Sequence, residues 1–191
     1  VTPVTEKGSQ TRASILDRAV HLASVEGLEG LTIGRLAAEL RMSKSGLFGH
    51  FGSKQELQLA TIGAAAARFK GRVIDPALEL PDGAPRLRAM AERYLDQLQD
   101  YPGGCFWAAT SAEYDDRPGP VRDAIAGALE AWTGELERQA KIAGVEHPER
   151  FAFELFSLVM GANARYRLSG DERVFGYARE ALERLLAELP G

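Results

Sequence analysis

Between residues 32 and 54 the sequence gathers side chains suited to holding phosphate and reading base edges. Thr32 and Ser43 each precede a short run with apolar helical spacing. A hydroxyl there can cap a helix, and free N–H groups together with the helix dipole favour an anion. Lys44, His50 and Lys54 add cationic or hydrogen-bonding groups close by. In the run KSGLFGHF, residues 44–51, helical spacing puts Leu47 and Phe51 on one face. Ser45 and Gly49 lie on the opposite face, flanked by Gly46 and His50. A solvated helix would more usually display Glu and Lys. This surface is small, polar and free of acid, as a helix pressed into a major groove requires. Two glycines in so short a helix cost about 1 kcal/mol each relative to alanine, so tertiary packing must hold it. Singly, these residues have plainer roles: Thr32 and Ser43 as caps, His50 as a packing residue, Lys54 as surface charge. Their convergence on one side is what points to nucleic acid.

Other chemistry is poorly served. His21, His50 and His147 are scattered, and the sequence contains neither an HExxH motif nor a phosphate-cradling glycine loop. Glu113, Asp115 and Asp116 precede Arg117-Pro118-Gly119-Pro120 and read as solvated or salt-bridged acids in a loop, although a metal or acid/base cluster is the other reading. No nucleophile motif surrounds Cys105. The expectation is therefore a protein that is not an enzyme, with no metal and no cofactor. Cys105 is the single cysteine, so no internal disulfide can form, which fits a reducing cytoplasm. It follows two glycines near a helix start, where a thiol pKa can fall, so a redox sensor and a buried, inert thiol both stand as readings.

The elements that must position these groups are helical. Residues 12–28 place Ile15, Leu16, Ala19, Val20, Leu22 and Ala23 at helical spacing, with Gly27 at the stop. Thr32 opens a second helix with Ile33, Leu36, Ala37 and Leu40 on its apolar face, and a tight turn, RMS, leads to the third. Gly52-Ser53 breaks the chain before a long fourth helix from Lys54, which should end before Pro76 with LELPDGAP as an exposed loop. From Pro85 onward, helical patterns run through RLRAMAERYLDQLQDY, FWAATSAEY, VRDAIAGALEAWTGELERQAKIAG, ERFAFELFSLVMGANARYRL and DERVFGYAREALERLLAEL. No segment alternates with period two, so the fold class is all-α. The expectation is a three-helix DNA-binding domain with a helix-turn-helix over residues 1–54 and a larger helical domain over residues 55–191.

Charge agrees in direction. The net charge is −4, yet residues 1–54 carry seven basic and five acidic side chains, a mildly basic head on an acidic body. No stretch approaches the roughly 20 apolar residues that span a bilayer, and VTPVTEKGSQTR is too polar for a signal peptide. A cytoplasmic protein without membrane contact is expected.

The stretch T-I-x-x-L-A-x-x-L-x-M-S-K-S-x-L-F-x-H-F-x-S-K-x-x-L, from Thr32 to Leu57, resembles the DNA-binding signature of the TetR family of transcriptional regulators. That resemblance implies that the third helix reads the major groove of a double-stranded DNA operator. It places Thr32, Phe48, His50 and Lys54 near phosphates and Lys44, Ser45 and Gly46 nearest to bases. Three positions depart from the pattern. Arg41 stands where glycine is usual in the turn, which bears on the turn's left-handed geometry. Phe48 replaces a tyrosine and has no hydroxyl for a phosphate. Gly49 replaces a larger side chain, so side-chain readout rests on Lys44 and Ser45, with DNA shape supplying the rest.

The same resemblance implies that the remainder binds a small-molecule effector and forms a homodimer, so that the chain acts as a repressor released from a palindromic operator. The candidate dimer surface is the C-terminal pair of helices, about residues 151–189. FAFELFSLVMGANA is apolar nearly all round, and Phe175, Ala178, Leu182, Leu185 and Leu189 form a stripe. The other reading has both helices simply cover one protomer's core. Candidates for an effector pocket are Met90, Tyr94, Phe106, Trp107, Trp132, Phe153, Phe156, Met160 and Asn163, with core packing as the other reading. An enzyme, or a helical interaction protein that keeps the scaffold without binding DNA, is the alternative.

Overall fold

The computed structural model describes residues 6–99, 101–187 and 189; the first residues of the segment read as too polar for a signal peptide lie outside these. Every regular element among them is helical.

Helix α1 (Glu6–Gly30) carries Ile15, Leu16, Ala19, Val20 and Ala23 into the core and starts earlier than its apolar pattern. It is broken at Gly27, whose φ of 76° and ψ of 168° lie outside helical geometry, at the stop expected from sequence. Helix α2 (Ile33–Leu40) buries Leu36 and Ala37, and helix α3 (Lys44–Phe51) buries Leu47 and Phe51 against it. Each start is fixed by a hydroxyl: Thr32 Oγ1 accepts from Arg35 N at 3.0 Å, Ser43 Oγ from Gly46 N at 3.1 Å, and Ser53 Oγ from Glu56 N at 3.1 Å.

The turn between α2 and α3 answers the question Arg41 raises. Arg41 is left-handed, with φ 54° and ψ 36°, and is the one non-glycine residue with positive φ among those described. Its N–H donates to Ala38 O at 3.3 Å and that of Met42 to Ala37 O at 2.9 Å, the two bonds of a Schellman ending. Those bonds hold a conformation that costs an arginine about 1–2 kcal/mol.

Helix α4 (Lys54–Phe69) does not run on regularly to Pro76. It widens into a π-helical turn over Lys70–Ile74 and tightens into a 3₁₀ turn over Asp75–Glu79, taking Pro76 at its start, where a missing N–H does no harm. The expected loop is correspondingly shorter. Helices α5 (Ala84–Asp96), α6 (Phe106–Tyr114), α7 (Pro120–Ile142), α8 (Pro148–Ser169) and α9 (Arg173–Leu186) follow. The stripe on α9 is buried through Leu185, while Leu189 lies past the helix end and still packs on the core. Among the described residues no helix is long and apolar enough to cross a membrane.

Glycine removes the penalty at residue 41 without touching either Schellman bond. Arg41→Gly is expected to raise the melting temperature by about 2–4 °C, as about 1 kcal/mol does in a chain of this size. A thermal melt followed by circular dichroism checks it; an unchanged or lower midpoint would contradict the strain.

Candidate nucleic-acid interface and effector cavity

Helix α3 is seated by Leu47 and Phe51, and Phe51 is itself covered by the Arg12 guanidinium, 5.1 Å from the ring centroid. Seating it this way leaves Lys44, Ser45, Gly46, Phe48 and Gly49 exposed and His50 half-buried. Phe48 is 54% exposed, a large apolar group on an otherwise small surface. Thr32 and Ser43 use their oxygens as caps, but a capping hydroxyl keeps its hydrogen for a further acceptor such as phosphate. The Lys44 stem lies over Gly34 of α2, its Cε 3.4 Å from where a Cβ on that glycine would stand.

Much of the basic charge in this unit is already engaged. Arg18 and Arg35 both bind Glu39, and Arg35 also grips Glu26 at 2.6 Å. Glu39 is held below the usual carboxylate range, chiefly by Arg18 and then by Arg35. Lys54 pairs with Glu29, whose carboxyl is likewise held low, first by its bond from Lys54. Lys54 is thus at the edge of the reading surface but shared with an internal acid.

Glu29 leads into a joint between α1 and α6. The break at Gly27 frees two N–H groups, and the Glu113 carboxylate accepts both, from Leu28 at 2.7 Å and from Glu29 at 2.9 Å. The left-handed φ of 76° at residue 27 requires glycine, and a Cβ there would lie 2.6 Å from Glu113 Oε1 and push the carboxylate aside. Beside it the Tyr114 hydroxyl donates to Glu29 at 3.2 Å, and Gln58 Nε2 donates to Tyr114 at 2.9 Å and to Leu28 O at 2.7 Å. Burial, then the bond to Glu29, pushes the Tyr114 phenol up to about 12. Ahead of α6, Gly103 touches the α1 backbone so closely that a Cβ would fall 1.6 Å from Ser24 O. Glu113 is therefore a capping group on α6 rather than a loop acid, and no cluster of potential metal ligands occurs among the described residues.

A cavity of about 200 Å³ lies between α4, α6 and α7. Ala66, Phe69, Lys70 and Ile74 wall one side, Trp107 a second, and Ala128, Leu129, Ala131 and Trp132 a third. The π-helical turn thus lies at its edge, a common place for such turns at functional sites. Phe69 and Trp132 meet edge-on at 4.8 Å, and Tyr94 packs edge-on behind both, at 5.0 and 5.3 Å.

Two family models match the chain: bacterial regulatory proteins of the tetR family over residues 15–61, and the tetracyclin repressor-like C-terminal domain over residues 83–182, more than half the chain. The chain belongs to the TetR family. A TetR-family transcriptional regulator from Streptomyces coelicolor is 26% identical, with 95% of this chain and 96% of that one covered at a TM-score of 0.81. A TetR transcriptional regulator from Chloroflexus aurantiacus is 21% identical, covering 97% and 98%, at 0.82. AibR, solved in complex with isovaleryl coenzyme A and operator DNA, is 22% identical, covering 92% and 98%, at 0.73. No curated protein matches the chain.

Within this TetR-family frame the nine pocket candidates scatter. Trp107 and Trp132 wall the cavity. Met90 and Tyr94 are fully buried in α5 and Phe106 is buried in α6; Tyr94 and Phe106 pack behind the cavity's aromatic wall, and Met90 belongs to the general core. On α8, Phe156 and Met160 are half-buried, while Phe153 is 69% exposed and points away from the protomer. Asn163 has a structural task, accepting from Cys105 N at 2.8 Å. Cys105 is buried, with its thiol pushed up by that burial and lying 3.8 Å from the Tyr94 hydroxyl, so it is protonated and shielded rather than activated. Sequence reasoning missed Phe69, Lys70 and Leu129, for which the nearest signal is the run AAAARF, whose alanines leave space beside large rings. It also missed Gln58, Tyr114 and Gly103.

Removing the Glu113 carboxylate frees two N–H groups, of which that of the fully buried Leu28 is left without a partner while that of the exposed Glu29 can turn to water. Glu113→Ala should lose about 1–3 kcal/mol in denaturant unfolding, and Glu113→Gln, which keeps one acceptor, less. Equal stability of Glu113→Ala and the parent would show that water replaces the cap freely.

Proposed function

We propose that this chain is a DNA-binding repressor in which residues 1–54 read a palindromic operator as a homodimer, and residues 55–191 bind a small molecule that releases it. The observation that carries the reading is the acid-free outer face of α3, Lys44 to His50, framed by the Thr32 and Ser43 hydroxyls and Lys54. The protein acts in the cytoplasm by binding rather than by turnover. Lys44, Ser45 and Gly46 face bases, while Thr32, Ser43, His50 and Lys54 meet phosphates. Phe48 and Gly49 pack on sugars or a thymine methyl.

A helix of eight residues reaches a specific affinity only in two copies, about 34 Å apart in successive major grooves. Support for a dimer comes from α8. Its outer face runs Phe153, Ser157, Gly161, Ala164 and Leu168, all exposed and all uncharged, with Leu168 at 91% exposure. Tyr177 on α9 extends the patch, a suitable surface for helix packing against a second copy.

The cavity supports the effector role. Trp107 sits on it at one end of α6, and Glu113 and Tyr114 hold α1 at the other, so a ligand that moves α6 reorients the reading head. AibR offers a parallel in fold, having been solved with both an acyl coenzyme A and operator DNA. A coupling of about 1–3 kcal/mol would weaken operator binding some 5- to 150-fold.

Selection of bound DNA from a random pool should yield an inverted repeat; failure to enrich any sequence overturns the reading. On the selected DNA, Lys54→Ala should flatten the salt dependence of binding by about one unit of log–log slope. Gly161 has open space around it, so Gly161→Glu leaves the protomer unstrained. That variant should sediment as a monomer and lose the palindrome, whereas an unchanged dimer would place the interface elsewhere.

A further inference from the structure

The cavity's wall has a chemical bias that its apolar character conceals. Among the described residues one buried side-chain nitrogen or oxygen has no hydrogen-bond partner, and it is Trp132 Nε1, on a ring that forms part of that wall. A buried donor without an acceptor is costly, so fully apolar residues would serve better if burial of an apolar body were the site's whole task. No carboxylate lines the cavity, and its one charged residue is Lys70, tied at the rim to Asp75. A ligand cation would lose its hydration with no carboxylate to replace it and would meet the Lys70 ammonium at the rim, whereas an acceptor gains the indole N–H. The volume, about 200 Å³, exceeds the roughly 150 Å³ of an engineered apolar cavity that binds benzene.

Resting on the reading of this cavity as the effector site, we propose that it takes a compact, largely apolar ligand bearing one carbonyl or carboxylate acceptor, which receives the Trp132 Nε1 hydrogen. Cations are rejected. Nε1 is sealed from solvent, so the acceptor reaches it only as the ligand turns the indole. The indole packs edge-on against Phe69, the last residue of α4, and against Tyr94. Turning it therefore disturbs the end of the helix whose first residue is Lys54.

The chain has two tryptophans, so a ¹H–¹⁵N spectrum of tryptophan-labelled protein contains two indole signals, assigned with Trp132→Phe. Titration uses four probes of similar size: toluene, methyl benzoate, benzoate and benzylammonium. Methyl benzoate or benzoate should move the Trp132 signal downfield and bind about tenfold more tightly than toluene, with benzylammonium not binding. Trp132→Phe should bind toluene and the acceptor probes about equally. Should that variant fail to fold, the downfield shift in the parent protein still decides. Toluene binding as tightly as methyl benzoate, an unmoved Trp132 signal, or binding of benzylammonium each overturns the proposal. Binding to the selected DNA, followed in the same samples, separates the two readings. A Trp132 shift with undiminished DNA binding upholds the ligand chemistry and overturns the regulatory role. DNA release by these probes without a Trp132 shift does the reverse.

Discussion

The Glu113 carboxylate holds two N–H groups that the break at Gly27 sets free, and through them the first helix is fastened to the sixth. An ordinary helix end leaves such groups to water or to a local cap. Here the partner lies 85 residues further along the chain, on the helix that also bears a cavity wall. The bonds are charge-assisted, a carboxylate accepting from backbone N–H groups of which that of Leu28 is buried, and so belong to the stronger class of hydrogen bonds. Gly103 against Ser24 adds a steric constraint to the electrostatic one, since neither backbone can approach differently without opening the core. Together they fix the end of α1 to α6.

Electrostatics in the reading head are arranged to be modest. A basic patch that is wholly free binds any DNA, because neutralising phosphates releases counterions irrespective of sequence. In this protein Arg18, Arg35 and Lys54 are each shared with an acid of the same unit. Those exposed pairs contribute little to folding. Their consequence would lie in binding: a phosphate at Lys54 would have to displace Glu29, and Glu29 is also bonded by Tyr114 of α6. The same acid is therefore bonded both from Lys54 and from α6.

What could be read from the sequence is what depends on neighbours along the chain. Thr32, Ser43 and Ser53 cap as their positions require, Leu47 and Phe51 turn inward, and α6 spans FWAATSAEY, because caps and helical periodicity are short-range effects. What could not be read depends on partners far away. Nothing near Glu113 says that its carboxylate will find Gly27, and Phe153 and Phe156, three residues apart on one apolar run, differ only in which side of α8 meets the core. Arg41 is the instructive intermediate case. Its local preference argues against a left-handed turn, but two backbone bonds and the seating of α3 outweigh a penalty of about 1–2 kcal/mol.

Helix α4 runs from the edge of the candidate reading surface to the cavity. Its sixteen residues form a rod about 24 Å long, with Lys54 at one end and Phe69 at the other. A tilt of about 5° about one end displaces the other by roughly 2 Å, comparable to the helix shifts that distinguish regulatory states. The regular hydrogen-bond ladder stops at Phe69, where the wider π-helical turn begins and where the aromatic ring meets Trp132. A uniform helix continuing to Pro76 would resist displacement along its whole length. The regular rod thus ends where the cavity begins, and the π-helical turn KGRVI lies beside the same rings. Lys54 and the cavity wall are the two ends of one regular helix.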